Sequence, residues 1–257
     1  MAQAGQIDPS GVVVRDGVYH DGPGDRIMVV VAHPDDAEYM VAGSVARWVK
    51  EGREVVYVLC TDGDKGTSDP DLPPERLARI RKQEQLAACK VLGVEETVFL
   101  GYPDGLPQSN LALRKDIVRQ IRRFKPDSLL CQDPTRRWYG SVYLHHPDHR
   151  AANDAARDAV FPLARDYHTL PDLIAEGLLP HKVHHVYISS VAEDHDVWFD
   201  ISATIESKVE ALYAHRSQVG ERSADNASEE FVRWMASETA SGTGLGLAEA
   251  FKYVRLG

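Results

Sequence analysis

Apolar runs alternate with amphipathic segments along most of this chain, and the alternation predicts its elements. Residues 27–32 (Ile-Met-Val-Val-Val-Ala) form an unbroken apolar run, which is typical of a strand in a parallel sheet with both faces covered. A helical pattern follows through Val41, Val45 and Trp48 and ends near Gly52. The same order recurs, with strands predicted at 55–60, 97–100 and 128–131 and helices at 73–93, 111–124 and 149–164.

Strand–helix alternation of this kind predicts a single-domain α/β fold, in which a Rossmann-like, doubly wound and mostly parallel sheet carries helices on both faces. The carboxyl ends of the strands in such a sheet form the usual ligand crevice. We place the domain at residues 25–257 and treat residues 1–24 as an N-terminal extension. Within it, residues 12–19 suit a small hairpin, with Asp16 and Gly17 in its tight turn. Toward the C-terminus, the pattern predicts strands at 183–189 and 197–200, helices at 205–218 and 228–237, and a Gly/Ser-rich loop at 239–246. The last segment, 247–256, is expected to end in a short strand.

The composition is that of an ordinary globular protein with an acidic balance. The chain has 257 residues, of which 43% are hydrophobic, and a formal net charge of -10. This charge argues against broad binding to nucleic acid or to an anionic membrane, since both favour a basic protein surface. No apolar run approaches the roughly 20 residues that span a bilayer, and residues 1–10 lack the pattern of a signal peptide. Three cysteines without ligand spacing argue against a disulfide scaffold, so we expect a soluble cytoplasmic protein.

The first candidate for chemistry is the loop at residues 32–38 (Ala-His-Pro-Asp-Asp-Ala-Glu), directly after the first predicted strand. It contains no glycine, whereas loops that cradle phosphate need glycines for close backbone approach, so a dinucleotide or phosphate site is disfavoured. His33 and a carboxylate three residues later can converge on a divalent ion and leave the neighbouring carboxylate free. The alternative is that Asp35 or Asp36 only caps the following helix.

A second candidate lies at residues 144–149 (Leu-His-His-Pro-Asp-His), after the fourth predicted strand and at the start of a helix. Two histidines three residues apart, His146 and His149, can reach one site. Imidazole and carboxylate ligands favour zinc, with iron and other transition ions as alternatives. A histidine pair alone is more often part of a polar surface loop. Two His-Pro-Asp loops at strand ends of one predicted sheet meet in the same crevice, however, and together favour a metal centre.

With these two loops, the sequence resembles the PIG-L/LmbE family of zinc-dependent N-acetylglucosaminyl deacetylases. The resemblance extends over residues 27–218, and the run 60–150 is most similar to the diacetylchitobiose type of deacetylase. The other matching segments are Thr61-Asp62-Gly63, Arg81-Lys82-Gln83-Glu84, Gly101-Tyr102-Pro103-Asp104, Lys208 and Ala214-His215-Arg216-Ser217-Gln218.

The resemblance implies a zinc centre with roles for individual residues. His33, Asp36 and His149 would bind the metal and leave an open position for water, as a catalytic zinc site requires. Asp35, beside the metal but not bound to it, would be the general base for attack of water on the acetamide carbonyl. The products would be acetate and a free amino sugar.

Two further residues of the second loop complete the catalytic set that the resemblance implies. His146 would face the developing oxyanion, as imidazolium or polarised by Asp148, and would protonate the leaving amine. Zinc, or another divalent transition metal in its place, would supply the remaining stabilisation of the oxyanion.

Several polar and aromatic residues near the two loops keep two interpretations. Glu38 and Asp62 suit contacts to substrate or to the metal ligands, and they suit helix capping or loop solvation equally well. The segment that precedes the second loop contains residues whose side chains suit a sugar ring or the packing of an exposed loop, namely Arg137, Trp138 and Tyr143.

The remaining histidines of interest have simpler expectations. His145 has no role in the motif, and we expect it to be structural or at the surface. His215 lies on an amphipathic helix, where a hydrogen-bonded core histidine is the expected outcome. The spacing of His181, His184 and His185 permits a metal site, but a structural role is favoured.

The leading hypothesis is a zinc hydrolase that removes acetyl from an N-acetylated amino sugar. Alternatives within the family are an amidase for a thiol conjugate and a deacetylase of a glycosylated secondary metabolite. A non-catalytic sugar- or nucleotide-binding module would not need Asp35, and a dehydrogenase or methyltransferase would need a glycine-rich first loop. We expect a small-molecule substrate and no nucleic-acid or membrane partner. The resembled subgroup implies a homo-oligomer, either a trimer or a hexamer.

Overall fold

The computed structural model describes residues 4–189, 194–223 and 227–257 of the chain. Within these residues, nine strands form one sheet and two form a separate hairpin. The strands are, in chain order, β1 (Ala4–Ile7), β2 (Val12–Arg15), β3 (Arg26–Val31), β4 (Glu54–Thr61), β5 (Glu96–Tyr102), β6 (Ser128–Gln132), β7 (Trp138–Tyr139), β8 (Tyr143–Leu144), β9 (His185–Ser189), β10 (Val197–Asp200) and β11 (Ala248–Arg255).

Helices connect most of the strands and cover the large sheet. None of the helices in the described residues is long and apolar enough to cross a lipid bilayer. They are α1 (Asp36–Met40), α2 (Ala42–Lys50), α3 (Pro74–Leu92), α4 (Leu111–Phe124), α5 (Pro147–Val160), α6 (Pro171–Ala175), α7 (Ile205–Tyr213), α8 (Arg216–Val219) and α9 (Ala227–Ala240), with a 3₁₀ turn at Leu163–Arg165.

Five parallel strands form one side of the large sheet, in the order β9-β6-β3-β4-β5, with β5 at the edge. In β3, the middle strand of the five, residues 27–31 are all apolar because they alternate between two cores. Ile27 and Val29 pack in the core that includes side chains of α2 and α3, whereas Met28 and Val30 pack in the core that includes α4 and α5. The predicted doubly wound α/β fold, with helices on both faces of a mostly parallel sheet, is therefore confirmed.

Antiparallel strands extend the sheet beyond β9, in the order β11, β10, β2 and β1. The predicted hairpin over residues 12–19 is wrong, because β2 pairs with β10 and β1 while Val18 and Tyr19 lie outside the strands. The edge of β10 offers backbone partners that also bury Val12 and Val13, which a free hairpin would leave exposed. The described part of the predicted extension thus contributes β1 and β2 to the main sheet, and the domain boundary near residue 24 stays a prediction.

Three helix boundaries differ from the predicted ones, and each lies beside the site described below. The helix predicted from residue 149 begins at Pro147, since proline suits the first turn of a helix. The predicted loop 33–38 contains the start of α1 at Asp36. The helix predicted over 205–218 is interrupted at Ala214 and His215, which separate α7 from α8.

Candidate metal centre and active site

The loop between β3 and α1 holds two residues of a candidate metal centre. The buried Asp36 carboxylate accepts hydrogen bonds at Oδ2 from the backbone N–H groups of Ala32 (3.1 Å) and His33 (2.8 Å). These bonds fix the carboxylate against its own loop. The His33 ring lies on the same side, with Nδ1 3.6 Å from Asp36 Oδ2.

The first turn of α5 brings His149 to the same place. His149 Nε2 is 3.1 Å from Asp36 Oδ1 and 3.2 Å from His33 Nδ1. Two ligands bound tetrahedrally to zinc at about 2.0–2.1 Å lie about 3.3 Å apart, so the three side chains have the spacing that one zinc ion needs. The structure thus brings together the three residues to which the resemblance gave metal binding, and that role itself stays a prediction.

The contact between His149 Nδ1 and His145 determines which ring nitrogen of His149 carries the proton. His145 Nδ1 lies 2.8 Å from the carbonyl oxygen of Arg136, so Nδ1 donates and His145 Nε2 is an acceptor. His149 Nδ1 lies 3.3 Å from His145 Nε2 and is therefore the donor to it. His149 Nε2 is left with a lone pair, and its nearest polar neighbours are Asp36 and His33.

Carboxylates orient His33 in the same way. His33 Nε2 is 3.1 Å from Asp104 Oδ1 and 3.3 Å from Asp148 Oδ2, so Nε2 carries a proton and the neutral ring has its lone pair at Nδ1. Burial opposes a positive charge on His33, but hydrogen bonds to Asp104, Asp148 and Asp36 raise its pKa. These three carboxylates place a surplus of negative charge around His33. Either a proton or a metal ion at Nδ1 neutralises part of it.

The donor set fits a catalytic zinc ion. It consists of two imidazole nitrogens and one carboxylate. When both rings are neutral, the lone pairs of the two nitrogens and the carboxylate oxygens face the same point, with no proton among them. A second group in the described residues, His33, Asp104 and His146, has ligand atoms at similar spacing. It fits less well, because His146 Nδ1 accepts the N–H of Asp148 at 3.3 Å, which leaves the proton of the neutral ring on Nε2.

Asp35 lies next to the metal group and is held by other partners. Its φ of 96° is in the left-handed region, where a residue other than glycine costs about 1–3 kcal/mol. Its Oδ2 is 3.1 Å from Arg81 Nη2, and its N–H donates to Gln85 Oε1 at 3.2 Å. Burial raises the pKa of Asp35 to about 6, although the positive charge of Arg81 opposes this rise. A carboxyl group with a pKa close to neutral suits a general base.

His146 lies beside the metal group, but the Asp148 carboxylate mainly contacts other residues. The ring centroids of His146 and His33 are 4.9 Å apart, and the His146 side chain is 41% exposed. Asp148 Oδ1 is 3.8 Å from His146 Nδ1, beyond hydrogen-bond distance, while Asp148 Oδ2 accepts the N–H of Gly105 at 2.6 Å. Burial and the neighbouring His33 lower the pKa of His146. In this geometry His146 is a neutral ring that presents Nε2–H.

Sequence reasoning assigned no role to four residues that shape the site. Asp104 belongs to a segment that matched the family, so a signal for it was present. Arg81 and Gln85 are four residues apart on α3, which places both on one helix face toward Asp35. His145 is buried and structural, as expected, but its contact with the residue four positions later also gives it a part in the metal group.

Several other residues singled out from the sequence have contacts outside the metal group, whereas burial raises the pKa of Tyr143 and the charge of Asp36 is close enough to raise it further. Trp138 lies on the β7–β8 hairpin and is 63% exposed. His181 Nε2 is 2.7 Å from the carbonyl oxygen of Pro126, and His185 Nδ1 is 2.7 Å from the hydroxyl of Tyr253. No group of three metal-binding side chains in the described part of the chain includes the histidines at 181, 184 and 185.

Replacing His145 with phenylalanine is expected to weaken metal affinity about 10- to 100-fold. The ring is retained, but His149 Nδ1 loses the acceptor that fixes its proton and its orientation. Competition with a chromophoric chelator measures the affinity. His181→Phe is the matched control, because it removes a hydrogen-bonded histidine elsewhere. Equal metal affinity in the two variants would contradict a role for His145.

Comparisons with known proteins show the family to which the chain is similar. A family model described as PIG-L: GlcNAc-PI de-N-acetylase matches residues 28–160, which include both His-Pro-Asp loops. The diacetylchitobiose deacetylase of Thermococcus kodakarensis is 31% identical over 229 residues, covering 89% of this chain and 83% of that protein. A probable N-acetyl-alpha-D-glucosaminyl L-malate deacetylase 2 of Bacillus anthracis is 26% identical over 231 residues, covering 83% of this chain and 92% of that protein.

A solved structure gives the same result for the fold. The N,N'-diacetylchitobiose deacetylase of Pyrococcus horikoshii, in complex with its inhibitor MPG, superposes with a TM-score of 0.81 at 27% identity. The match covers 90% of this chain and 84% of that one. The resemblance inferred from the two loops is therefore confirmed along most of the chain.

Proposed function

Because the chain belongs to the PIG-L family, we propose that it is a zinc-dependent hydrolase that removes the N-acetyl group from an N-acetylglucosamine-type amino sugar. The observation that carries the proposal is the convergence of His33, His149 and Asp36, with a partly buried Asp35 beside them. Both curated relatives named above are deacetylases, which supports an acetamide as the group that is cleaved.

Three residues would hold the metal: His33 through Nδ1, His149 through Nε2, and Asp36 through its carboxylate. When bound, a zinc ion supplies Lewis acidity, which lowers the pKa of water toward about 7 and polarises a carbonyl group. Asp104 and Asp148 hold the proton of His33 at Nε2, which keeps Nδ1 available as a ligand atom.

Asp35 would take the proton of the water that attacks the carbonyl carbon of the acetamide. The Arg81 guanidinium, 3.1 Å from Asp35 Oδ2, restricts the carboxylate to one orientation. Burial keeps the carboxyl group basic enough to accept a proton near neutral pH. A positioned base of this kind contributes about 10²–10⁴-fold to the rate.

His146 would donate from Nε2 to the acetamide oxygen as negative charge develops there. In the protonated ring, Nδ1–H would reach Asp148 Oδ1, now 3.8 Å away, only after a movement of either side chain. That oxygen is buried and has no hydrogen-bond partner among the residues the structure describes. Transfer of a proton from the imidazolium form of His146 to the leaving nitrogen, as the C–N bond breaks, would then release acetate and the free amino sugar. The proton that Asp35 took from water would pass to the neutral His146, so that both groups would regain their starting states.

Two alternatives have less support. A thiol-conjugate amidase is not favoured, since the relatives named above are deacetylases of N-acetylglucosaminyl compounds or of diacetylchitobiose. A non-catalytic sugar-binding module would not require Asp35 to adopt a strained backbone conformation beside three converging ligand atoms.

Amine release from a panel of N-acetylated compounds tests the proposal. We expect the purified protein to release one amine and one acetate per turnover from N-acetylglucosamine, diacetylchitobiose or N-acetylglucosaminyl-inositol, and more slowly from a thiol conjugate. Treatment with a chelator should abolish the activity, and added zinc should restore it. Activity that survives removal of all metal, or no release from any compound, would contradict the proposal.

We further propose that the protein is a cytoplasmic homo-oligomer, a trimer or a hexamer. Exposed apolar side chains support self-association: Val142 and Leu144 of the β7–β8 hairpin segment are 92% and 80% exposed. Native mass spectrometry tests this, since a mass equal to the 28.5 kDa of one chain would contradict it.

A further inference from the structure

The motif near the C-terminal end of the family resemblance, residues 214–218, has no part in the mechanism above. His215 lies where α7 and α8 meet, and its side chain is 0% exposed. His215 Nε2 is 3.1 Å from Glu38 Oε2. Glu38 follows the candidate base by three residues, so this contact connects residues far apart in sequence at the edge of the site.

A second hydrogen bond continues from Glu38 to the backbone of the candidate base. Gln85 Nε2 donates to Glu38 Oε1 at 3.1 Å, and Gln85 Oε1 accepts the N–H of Asp35 at 3.2 Å. Glu38 and Gln85 are both 0% exposed. Because the Glu38 carboxylate only accepts, the Gln85 amide has a single orientation, with its oxygen toward Asp35.

The Asp35 backbone needs such support. A non-glycine residue persists at φ 96° only where its surroundings hold it there. Displacing this backbone would move the carboxylate away from the position beside the metal group. The Gln85 hydrogen bond to the N–H of Asp35 is therefore placed where it controls the geometry of the base.

Helix α8 also forms hydrogen bonds to α3 and to the loop that contains Gly66. The backbone N–H and hydroxyl of Ser217 donate to Glu84 on α3, at 2.7 and 2.6 Å. Gln218 Nε2 donates to the carbonyl oxygen of Gly66 at 3.2 Å. A Cβ at Gly66 would lie 2.5 Å from Arg81 Nη1, so the loop containing this glycine packs directly on the guanidinium that binds the candidate base.

We propose that His215, Glu38 and Gln85 form a positioning relay, through which the segment between α7 and α8 holds the backbone of Asp35 in its catalytic geometry. His215 belongs to the segment 214–218 of the resemblance but not to residues 28–160, which the family model matches. The relay deepens the proposed function, because it assumes that Asp35 is the general base. None of its three residues belongs to a candidate metal group of the described residues, and each acts through the next.

Gln85→Met removes the hydrogen bonds of Gln85 to Glu38 and Asp35, and its longer one to Cys89 Sγ, while keeping a side chain of similar volume. We expect kcat to fall about 10- to 100-fold, because small displacements of a catalytic group have effects of this size. KM should change less than about threefold and the metal content should stay the same, since neither substrate contacts nor ligands are altered. Deuterium exchange of the Asp35 amide, followed in a peptide spanning residues 33–38, should become at least about tenfold faster.

Two variants of His215 test the other end of the relay. His215→Leu removes the donor to Glu38 and should lower kcat in the same way as Gln85→Met. His215→Gln retains an N–H donor at a similar position and should restore kcat to within about threefold of the unmodified protein. Equal kcat in the Leu and Gln variants would overturn the proposal.

Arg122→Met is the control for general destabilisation. Arg122 is buried in α4, away from the site, and its loss should lower the melting temperature without changing kcat or the exchange of residues 33–38. Its guanidinium donates to the carbonyl oxygens of Leu163, Ala164, Asp166 and Leu178.

The outcomes separate the relay from the proposed function. Unchanged kcat or unchanged amide exchange in Gln85→Met would overturn the relay, and so would a loss of metal in proportion to the loss of activity. If the unmodified protein releases no amine from any compound, the proposed function fails. The exchange of the Asp35 amide would then still show whether Gln85 orders its backbone.

Discussion

His149→Ala is expected to lose both metal and activity. The substitution removes one of three ligand atoms and leaves the Asp36 carboxylate 3.1 Å from an empty position. Two remaining ligands do not hold zinc at the concentrations left after dialysis, so we expect less than about 0.1 metal ion per chain and a loss of kcat/KM of at least about 10³-fold.

Elemental analysis and amine release on the same sample measure the two effects together. His181→Ala is the matched control, since His181 hydrogen-bonds the carbonyl oxygen of Pro126 and lies outside the metal group. That variant should keep its metal and its activity. Full metal content in His149→Ala would remove His149 from the ligand set, and activity without metal would remove the metal from the reaction.

Asp35→Asn is expected to separate catalysis from metal binding. Asparagine preserves the shape of the side chain but cannot accept a proton from water, so kcat should fall about 10²–10⁴-fold. The ligand atoms of His33, Asp36 and His149 are untouched, so the metal content should equal that of the unmodified protein. Elemental analysis and steady-state kinetics at saturating substrate measure both quantities.

Asp116→Asn serves as the control for Asp35→Asn. Asp116 accepts a hydrogen bond from the Tyr102 hydroxyl at 2.7 Å on α4, and it belongs to neither His-Pro-Asp loop. This variant should retain kcat within about twofold, since substitutions that lie outside the core and outside the site have small effects. Unchanged kcat in Asp35→Asn would assign the base to another residue, whereas loss of metal in that variant would make Asp35 a residue of the metal group.

Much of the fold was accessible from the pattern of residues alone. The apolar run at 27–32 required a strand covered on two faces, and the cores on either side of β3 contain its alternate residues. The loop after that strand and the loop before α5 could be placed at one edge of the sheet, because parallel strands end on the same side. The two loops could therefore be brought together before any distance was known, and the resemblance to the PIG-L family implied His33, Asp36 and His149 as the ligands within them.

The local sequence pattern gave wrong predictions where strand pairing or a helix break depends on contacts with segments distant in sequence. Asp16 and Gly17 suit a hairpin turn, but Val12 and Val13 gain more burial against β10 than a two-stranded hairpin could provide. The helix predicted over 205–218 likewise ignores the break that allows His215 to reach Glu38.

The sequence by itself determined the α/β fold, the two loops and the residue types that suit a metal. Only the tertiary structure decided how each histidine is protonated, since His149 depends on a carbonyl reached through His145 and His33 on carboxylates that include Asp104. Only the structure revealed the support of Asp35 by Gln85 on a separate helix. Periodicity reports which face of an element is buried, whereas a hydrogen bond depends on two side chains meeting at about 3 Å, which is set by the packing of elements distant in sequence.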